Sequence, residues 1–120
     1  MESFWKKLPK PFFGLAPMAD VTDPAYRRLI AEYGKPDVTW TEFVSADGLY
    51  YTREVNKIPD TENALMRDIG FTEAERPIVM QVFSSKPEMI VYAAKLAEEL
   101  GFDGFDINMG CPAGPVERQG

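Results

Sequence analysis

Four short, mainly apolar segments alternate with helix-like segments along the chain, and this alternation constrains the fold more than any other feature. The four segments cover residues 11–15, 38–44, 77–83 and 104–108. The third is almost continuously apolar, which is typical of strands that are covered on both faces. Because strand–helix alternation favours parallel strands with right-handed crossovers, the sequence predicts an α/β fold.

The number of predicted strands is also informative when it is compared with the chain length. Four parallel strands form either an open sheet or half of an eight-stranded barrel, and a complete barrel takes about 250 residues. The chain has 120 residues, and the segment after residue 108 does not continue into a fourth helix. The missing helix favours truncation of a longer α/β fold, and an open sheet and half of a barrel remain the two alternatives at this point.

The first predicted helix has a clear beginning and end. Asp23 is suited to the N-cap and Pro24 to the first helical position. Gly34 is suited to the left-handed conformation with which a helix commonly ends. The apolar residues expected to share one buried helical face are Tyr26, Leu29, Ile30 and Tyr33.

The last predicted helix follows Ser85, which forms a capping-box pattern with Glu88. Its expected apolar face consists of Met89, Ile90, Ala93, Leu96, Ala97 and Leu100, and Gly101 closes it. Between the second and third strands, residues 46–55 are consistent with a helix. Residues 56–76 mix charge, proline and glycine, and we interpret them as a loop with a short hairpin.

Composition excludes several chemistries. The chain has no histidine and one cysteine, so it contains no Ser-His-Asp triad, no histidine-ligated metal site and no internal disulfide. No stretch approaches the roughly 18 apolar residues of a membrane span, and the N-terminus does not resemble a secretory signal. We expect no metal, no membrane partner and a cytoplasmic location. The net charge of −6 argues against a nucleic-acid-binding module, although not against a nucleic-acid substrate of a larger protein.

Polar residues interrupt the third and fourth strands where chemistry gathers in parallel α/β folds, at the carboxyl ends. Gln81 lies late in the third strand, and Asp106 and Asn108 alternate along the fourth, so both face one side. A carboxamide both donates and accepts, which suits the edge of a flavin or a nucleobase. A satisfied core amide or a loop cap is the alternative interpretation.

Two loops that follow strands are further candidates. Cys111 lies between Gly110 and Pro112 and could be a nucleophile, a proton donor or a small buried apolar residue. Because no histidine is present to activate it, the proton donor is favoured among the catalytic roles. The loop at 16–19 exposes backbone groups that could form a floor for a planar ligand. The alternative is that the loop has a structural role only.

Several separated segments resemble one family, the tRNA-dihydrouridine synthases. The opening segment 16–23, APMADVTD, is followed by Arg27 and Arg28 and is similar to the family's first motif. Segments 41–46 and 77–83 resemble its second and third strands. The most specific match is the segment 106–112, DINMGCP, which is similar to the family signature.

The resemblance implies an FMN enzyme that reduces the 5,6 double bond of uridine in tRNA, with NADPH as the reductant. It also implies that residues 1–120 are the N-terminal portion, truncated after about four units, of a TIM-type FMN-binding (β/α)8 barrel, which is followed by a helical RNA-binding domain. Carried over residue by residue, the flavin contacts would be Pro17, Met18, Ala19 and Gln81. Asn108 would lie near the flavin and the target base, and Cys111 would protonate C5 of uracil.

One departure and two alternatives accompany this resemblance. Residues 113–116 carry Gly114-Pro115 where the family more often has basic residues. The first alternative is an FMN barrel of the dihydroorotate dehydrogenase type that acts on a free pyrimidine. The second is an inactive half-barrel that associates with a partner chain, and we expect the 120 residues alone to be inactive.

Overall fold

The computed structural model describes residues 2–111, Gly114 and Arg118. Five short strands form one sheet: β1 Gly14–Leu15, β2 Val38–Trp40, β3 Val44–Ser45, β4 Ile78–Phe83 and β5 Gly104–Ile107. The α-helices named within residues 2–111 are α1 Pro24–Gly34, α2 Ala46–Tyr50, α3 Ala64–Asp68 and α4 Pro87–Glu99. A π-helical segment, Tyr51–Val55, continues α2, and 3-10 turns cover Phe4–Lys7 and Glu73–Glu75. No helix of the described residues is long and apolar enough to cross a membrane.

Every strand pair in the sheet is parallel, as the alternation of segments predicts. β1 pairs with β2, and both β2 and β3 pair with β4. β5 pairs with the same β4 residues from the opposite edge, since Val79 and Val82 have partners on both sides. The strands therefore follow one another across the sheet in chain order, with β4 covered on both edges.

A bulge divides the strand that the sequence predicts over residues 38–44. Trp40 pairs with Val79 and Val44 pairs with Val82, so four steps along one strand match three along β4. The backbone N–H of Thr41 still donates to the Val79 carbonyl at 3.0 Å. The prediction of a single continuous strand is wrong because one extra residue breaks the ladder into β2 and β3.

The beginning of α1 is as predicted, but its buried face is not. The Asp23 carboxylate accepts a 2.7 Å hydrogen bond from the backbone N–H of Tyr26, and Pro24 occupies the first turn. However, Leu29 is 53 % and Tyr33 is 79 % exposed. The buried residue of this helix is Arg27. Of the predicted apolar face, Leu29 and Tyr33 therefore face outward, whereas Tyr26 and Ile30 are half-buried.

A buried ion pair holds α1 in place. Arg27 Nε donates to Glu75 Oε1 at 2.9 Å, and both side chains are 0 % exposed. The remaining Arg27 nitrogens donate to the carbonyls of Thr22 and Gly70 at 2.7 and 2.6 Å. Glu75 Oε2 accepts from the backbone N–H of Thr72 at 2.6 Å. Every charged end of the pair thus has partners, which a buried ion pair requires.

The apolar core lies between the sheet and the helices α2 and α4. Its buried members are Val44, Ala46, Leu49, Ile69, Met80, Val82, Ala93, Leu96 and Ala97. The apolar face predicted for α4 is largely confirmed, although Leu100 is 37 % exposed. Gly101 ends this helix with a φ of 78°, as predicted. Gly34 does not share that conformation: it is the last residue of α1, and the C-cap is Lys35.

Three other local predictions need correction. α4 begins at Pro87 with Lys86 at the N-cap, so the helix starts one residue later than the Ser85 pattern indicates. Residues 56–76 contain α3 and a 3-10 turn rather than a hairpin. In the segment 11–15, β1 is confined to its last two residues, and Phe13 is 75 % exposed. The helix predicted over 46–55 is confirmed by α2 and its π-helical continuation.

We predict that Arg27→Met strongly destabilises the full-length protein. The substitution leaves the Glu75 carboxylate buried without its cation, which typically costs about 3–5 kcal/mol. The measurement is the free energy of unfolding in urea. The control is Glu73→Gln, which breaks the solvent-facing pair between Glu73 and Arg76 (2.8 Å apart) and should cost less than about 1 kcal/mol. If Arg27→Met and Glu73→Gln lowered the free energy of unfolding by the same amount, the prediction that burial makes the Arg27–Glu75 pair more important would be wrong.

Candidate functional site

Three polar side chains meet late in β4 and β5. Gln81 lies opposite Asp106 in the parallel register, and its Nε2 donates to Asp106 Oδ2 at 2.6 Å. Asn108 Nδ2 lies 3.4 Å from Gln81 Oε1, a longer contact in the same chain of hydrogen bonds. Gln81 is 7 % exposed. The structure thus brings Gln81 and Asn108 together, as their positions at neighbouring strand ends predict.

The backbone of Gln81 is fixed by the bulge on the neighbouring strand. Its N–H donates to Thr41 Oγ1 at 3.1 Å, so a side-chain hydroxyl takes the place of a backbone carbonyl. Thr41 is 0 % exposed. Because the N–H and the carboxamide of Gln81 both have partners, the side chain is held in one direction.

An open cleft lies beside this cluster. Its volume is about 340 Å³, and it is lined by Gly14, Ala16, Pro17, Trp40, Gln81 and Asp106. A Cβ atom on Gly14 would lie 3.0 Å from the Trp40 ring, so glycine allows the indole to pack against β1. The cleft combines an apolar wall with an amide and a carboxylate. Such a lining suits a flat, largely apolar ligand with polar groups at one edge.

The loop after β1 contributes unequally to the cleft. Pro17 lies in its lining, whereas Met18 is 40 % exposed and Ala19 is also exposed. Asp20, the next residue, has a φ of 61°. Burial raises the pKa of the nearby Glu42 carboxyl, and a hydrogen bond from the Asp20 backbone opposes the increase. Of the three predicted loop residues, Pro17 thus lines the cleft together with Gln81 and Asp106.

Asn108 also organises the loop that carries Cys111. Its backbone N–H donates to the Val82 carbonyl at 2.8 Å, which extends the ladder of β5. Its Oδ1 accepts from the backbone N–H of Gly110 at 3.1 Å, so the side chain caps the turn while its amide points to Gln81. Cys111 is half-buried and has a free thiol. Pro112 and most of the segment 113–116 lie outside the described residues.

A second polar group lies where β3 and β4 end. Asp47 accepts hydrogen bonds from Ser84 Oγ and, at 2.7 Å, from Lys86 Nζ. Burial alone would raise the pKa of the Asp47 carboxyl, but these two hydrogen bonds and the lysine charge lower it. The group connects the start of α2 to the loop after β4. It does not line the cleft described above.

Sequence reasoning missed several residues that shape the site. The sequence predicts that Asp106 shares a face with Asn108. It does not predict the hydrogen bond between Asp106 and Gln81, because that bond depends on the register of two strands. Trp40 and Thr41 lie where the bulge separates β2 from β3, and no sequence pattern predicts that bulge. Among residues 2–111, Gly114 and Arg118, no three acidic, histidine or cysteine side chains are grouped so that they could hold a metal ion.

Comparison with known proteins adds a family relationship to this geometry. Residues 14–120 match the sequence model of a family described as dihydrouridine synthase. A probable tRNA-dihydrouridine synthase 2 of Bacillus subtilis (strain 168) is 43 % identical over 119 residues, which is 99 % of this chain and 34 % of the relative.

Two staphylococcal relatives give the same result. Probable tRNA-dihydrouridine synthases of Staphylococcus aureus (strain COL) and Staphylococcus epidermidis (strain ATCC 12228) are 37 % and 35 % identical. In both cases the match covers 99 % of this chain and 34 % of the relative. The chain thus spans about a third of the length of the curated relatives that it matches.

We predict that the stability contributed by Asp47 depends on pH. Because the folded-state pKa of this carboxyl is lowered, its contribution is complete above the unfolded pKa and is lost as the pH falls through the folded one. Asp47→Asn should therefore lower the free energy of unfolding at pH 7, and the difference from the wild type should shrink below about pH 4.

The measurement is urea unfolding of the full-length protein at pH 7, 5 and 3. Lys86→Met removes the same ion pair from the other side and should show the same pH dependence. A difference between wild type and Asp47→Asn that is constant over this range would contradict the prediction.

Proposed function

Since this chain belongs to the dihydrouridine synthase family, we propose that it forms the N-terminal part of the catalytic barrel of an FMN-dependent tRNA-dihydrouridine synthase. The complete enzyme reduces the C5–C6 bond of uridine in tRNA and takes its electrons from NADPH. The observation that carries the proposal is the chain of contacts from Gln81 to Asp106 and Asn108 beside an apolar cleft. A substrate in tRNA would place the enzyme in the cytoplasm.

The proposed barrel is supported by the order of the strands. All pairs are parallel and neighbours in space are neighbours in the chain, as in the first half of a (β/α)8 barrel. In that arrangement residues 1–120 supply about four strand–helix units. The exposed apolar side chains Phe13, Leu29 and Ile107 would then pack against further strands and helices.

The residues around the cleft fit a flavin ring. Pro17 and Trp40 offer an apolar wall, and the small residues Gly14 and Ala16 leave room for a flat group. Gln81 Nε2 is engaged by Asp106, and its Oε1 takes only a 3.4 Å contact from Asn108, so the second lone pair of Oε1 would accept from a ring N–H of the ligand. Met18 and Ala19 would extend the same floor. Bound and reduced, FMN would supply the hydride for C6 of uracil.

Cys111 is proposed as the proton donor. Hydride addition at C6 leaves negative charge on C5 and the adjacent carbonyl oxygen of uracil, so C5 must gain a proton. The Sγ–H bond breaks as the C5–H bond forms, and the thiolate regains its proton from solvent. Asn108 holds the turn that leads to Cys111 and directs its amide toward Gln81, which lines the cleft. The target uridine must leave its stack to reach this position.

An FMN barrel that acts on a free pyrimidine was the alternative from sequence. The relatives do not favour it, because their names specify tRNA. We therefore assign the same residues to a base within tRNA.

We predict that Gln81→Leu weakens FMN binding more than it weakens folding. Leucine suits an apolar, buried strand position, and Asp106, which loses its donor, is only half-buried and lines the open cleft, where water can replace that donor; the hydrogen bond to the flavin is lost outright. Such a bond contributes about 1 kcal/mol, so the dissociation constant of FMN should rise about fivefold. FMN titration and urea unfolding of the full-length protein measure the two effects. An unchanged affinity would leave Gln81 as a core residue without a role in cofactor binding.

We predict that Cys111→Ala lowers dihydrouridine formation by about 10²- to 10⁴-fold while bound flavin is retained. The experiment measures dihydrouridine in tRNA together with the flavin absorbance of the full-length protein. Met109→Ala is the matched control, because Met109 is 91 % exposed in the same loop, and its activity should change by less than about threefold. Near-normal turnover of Cys111→Ala would contradict the acid role, and loss of flavin would make the residue structural.

A further inference from the structure

The hydroxyl of Thr22 closes the loop after β1 upon itself. Met18 N–H donates to Thr22 Oγ1 at 3.0 Å, and Thr22 Oγ1 donates to the Met18 carbonyl at 3.2 Å. The backbone N–H groups of Val21 and Thr22 also donate to that carbonyl, at 3.1 and 3.0 Å. Thr22 itself is 0 % exposed. One buried side chain thus engages both backbone polar groups of Met18.

Thr22 is in turn fixed from the inside of the protein. Arg27 Nη1 donates to the Thr22 carbonyl at 2.7 Å, and Arg27 is held by the buried carboxylate of Glu75. Glu75 belongs to the 3-10 turn that leads into β4. A continuous path of short hydrogen bonds therefore runs from the segment before β4, through Arg27 and Thr22, to Met18.

Apart from a hydrogen bond from the Asp20 backbone to the Glu42 carboxyl, the contacts of the described residues give the loop little else to hold it. Ala16, Met18, Ala19, Asp20 and Val21 are all exposed. β1, which precedes the loop, has only two residues and, within the described part of the chain, pairs with β2 alone. Because apolar burial is small here, the conformation of the loop depends on the polar contacts of Thr22 rather than on packing.

We propose that Thr22, supported by the Arg27–Glu75 pair, is the positioning residue for the loop that carries Pro17, Met18 and Ala19. The inference rests on the proposed function, since it assigns these three residues to the flavin floor. Thr22 does not touch the cleft; it fixes the backbone from which Pro17 reaches the cleft. Loss of its hydroxyl should loosen the loop and weaken FMN binding, while the sheet keeps its order.

The first test is amide hydrogen exchange in the full-length protein without flavin. Thr22→Val keeps the shape of the side chain and removes the hydroxyl, so the Met18 amide should exchange about five- to tenfold faster. Amides of β4 should change by less than about twofold. Thr22→Ser restores the hydroxyl and should return Met18 to near the wild-type rate. Unchanged exchange at Met18, or equally faster exchange in β4, would overturn the inference.

The second test is FMN titration of the same variants. Thr22→Val should bind FMN about fivefold more weakly and alter the visible spectrum of the bound flavin, whereas Thr22→Ser should bind within about twofold of wild type. The matched control is Thr52→Val, which removes a hydroxyl that donates to the Gly48 carbonyl at 2.8 Å and accepts from Asn63 Nδ2 at 2.8 Å, away from the cleft.

Thr52→Val should lower stability but leave FMN affinity within about twofold of wild type. Equal FMN affinity in Thr22→Val and wild type would overturn the inference and leave the proposed function intact. A wild-type protein that binds no FMN would instead overturn the proposed function and the cofactor part of the inference. The exchange experiment would then still decide whether Thr22 holds the loop.

Discussion

The buried ion pair between Arg27 and Glu75 is the interaction on which the arrangement of α1 depends. Transfer of two charges from water into an apolar interior is costly, and the cost is offset only when the attraction and all remaining hydrogen bonds are made. Both groups are 0 % exposed here, and their other atoms bond to backbone groups of Thr22, Gly70 and Thr72. The pair therefore ties the segment before α1, at Thr22, to the segment 70–72. It explains how α1 is held although Leu29 and Tyr33 face outward.

The bulge between β2 and β3 has a comparable influence on the site. One extra residue shifts the register against β4 and brings the Thr41 hydroxyl to the N–H of Gln81. β5 pairs with the other edge of β4 and places Asp106 opposite Gln81. Gln81 is thus fixed from both sides, by a hydroxyl and by a carboxylate. A side chain held in this way can present one atom to a ligand without reorganisation.

Much of the local structure could be predicted because it depends on neighbouring residues. Asp23 caps α1 because its carboxylate reaches an N–H only three residues ahead. Gly101 adopts a positive φ because the end of α4 requires it. The alternation of strands and helices predicted the parallel sheet, and the two-residue period of β5 predicted that Asp106 and Asn108 share a face. The roles of Pro17, Met18, Ala19, Gln81, Asn108 and Cys111 in catalysis and cofactor binding stay predictions.

The sequence by itself determined the α/β class, the Asp23 cap of α1, the Gly101 end of α4 and the family motifs, since each depends on short spacings along the chain. Only the tertiary structure decided which residues of α1 are buried, where the second strand breaks, and that Asp47 bonds to Lys86. The physical reason is distance along the chain. Glu75 lies 48 residues after Arg27, and Asp106 lies 25 residues after Gln81. No periodicity or capping pattern relates residues so far apart, because their contact is set by strand register and by the requirement that a buried charge has a partner.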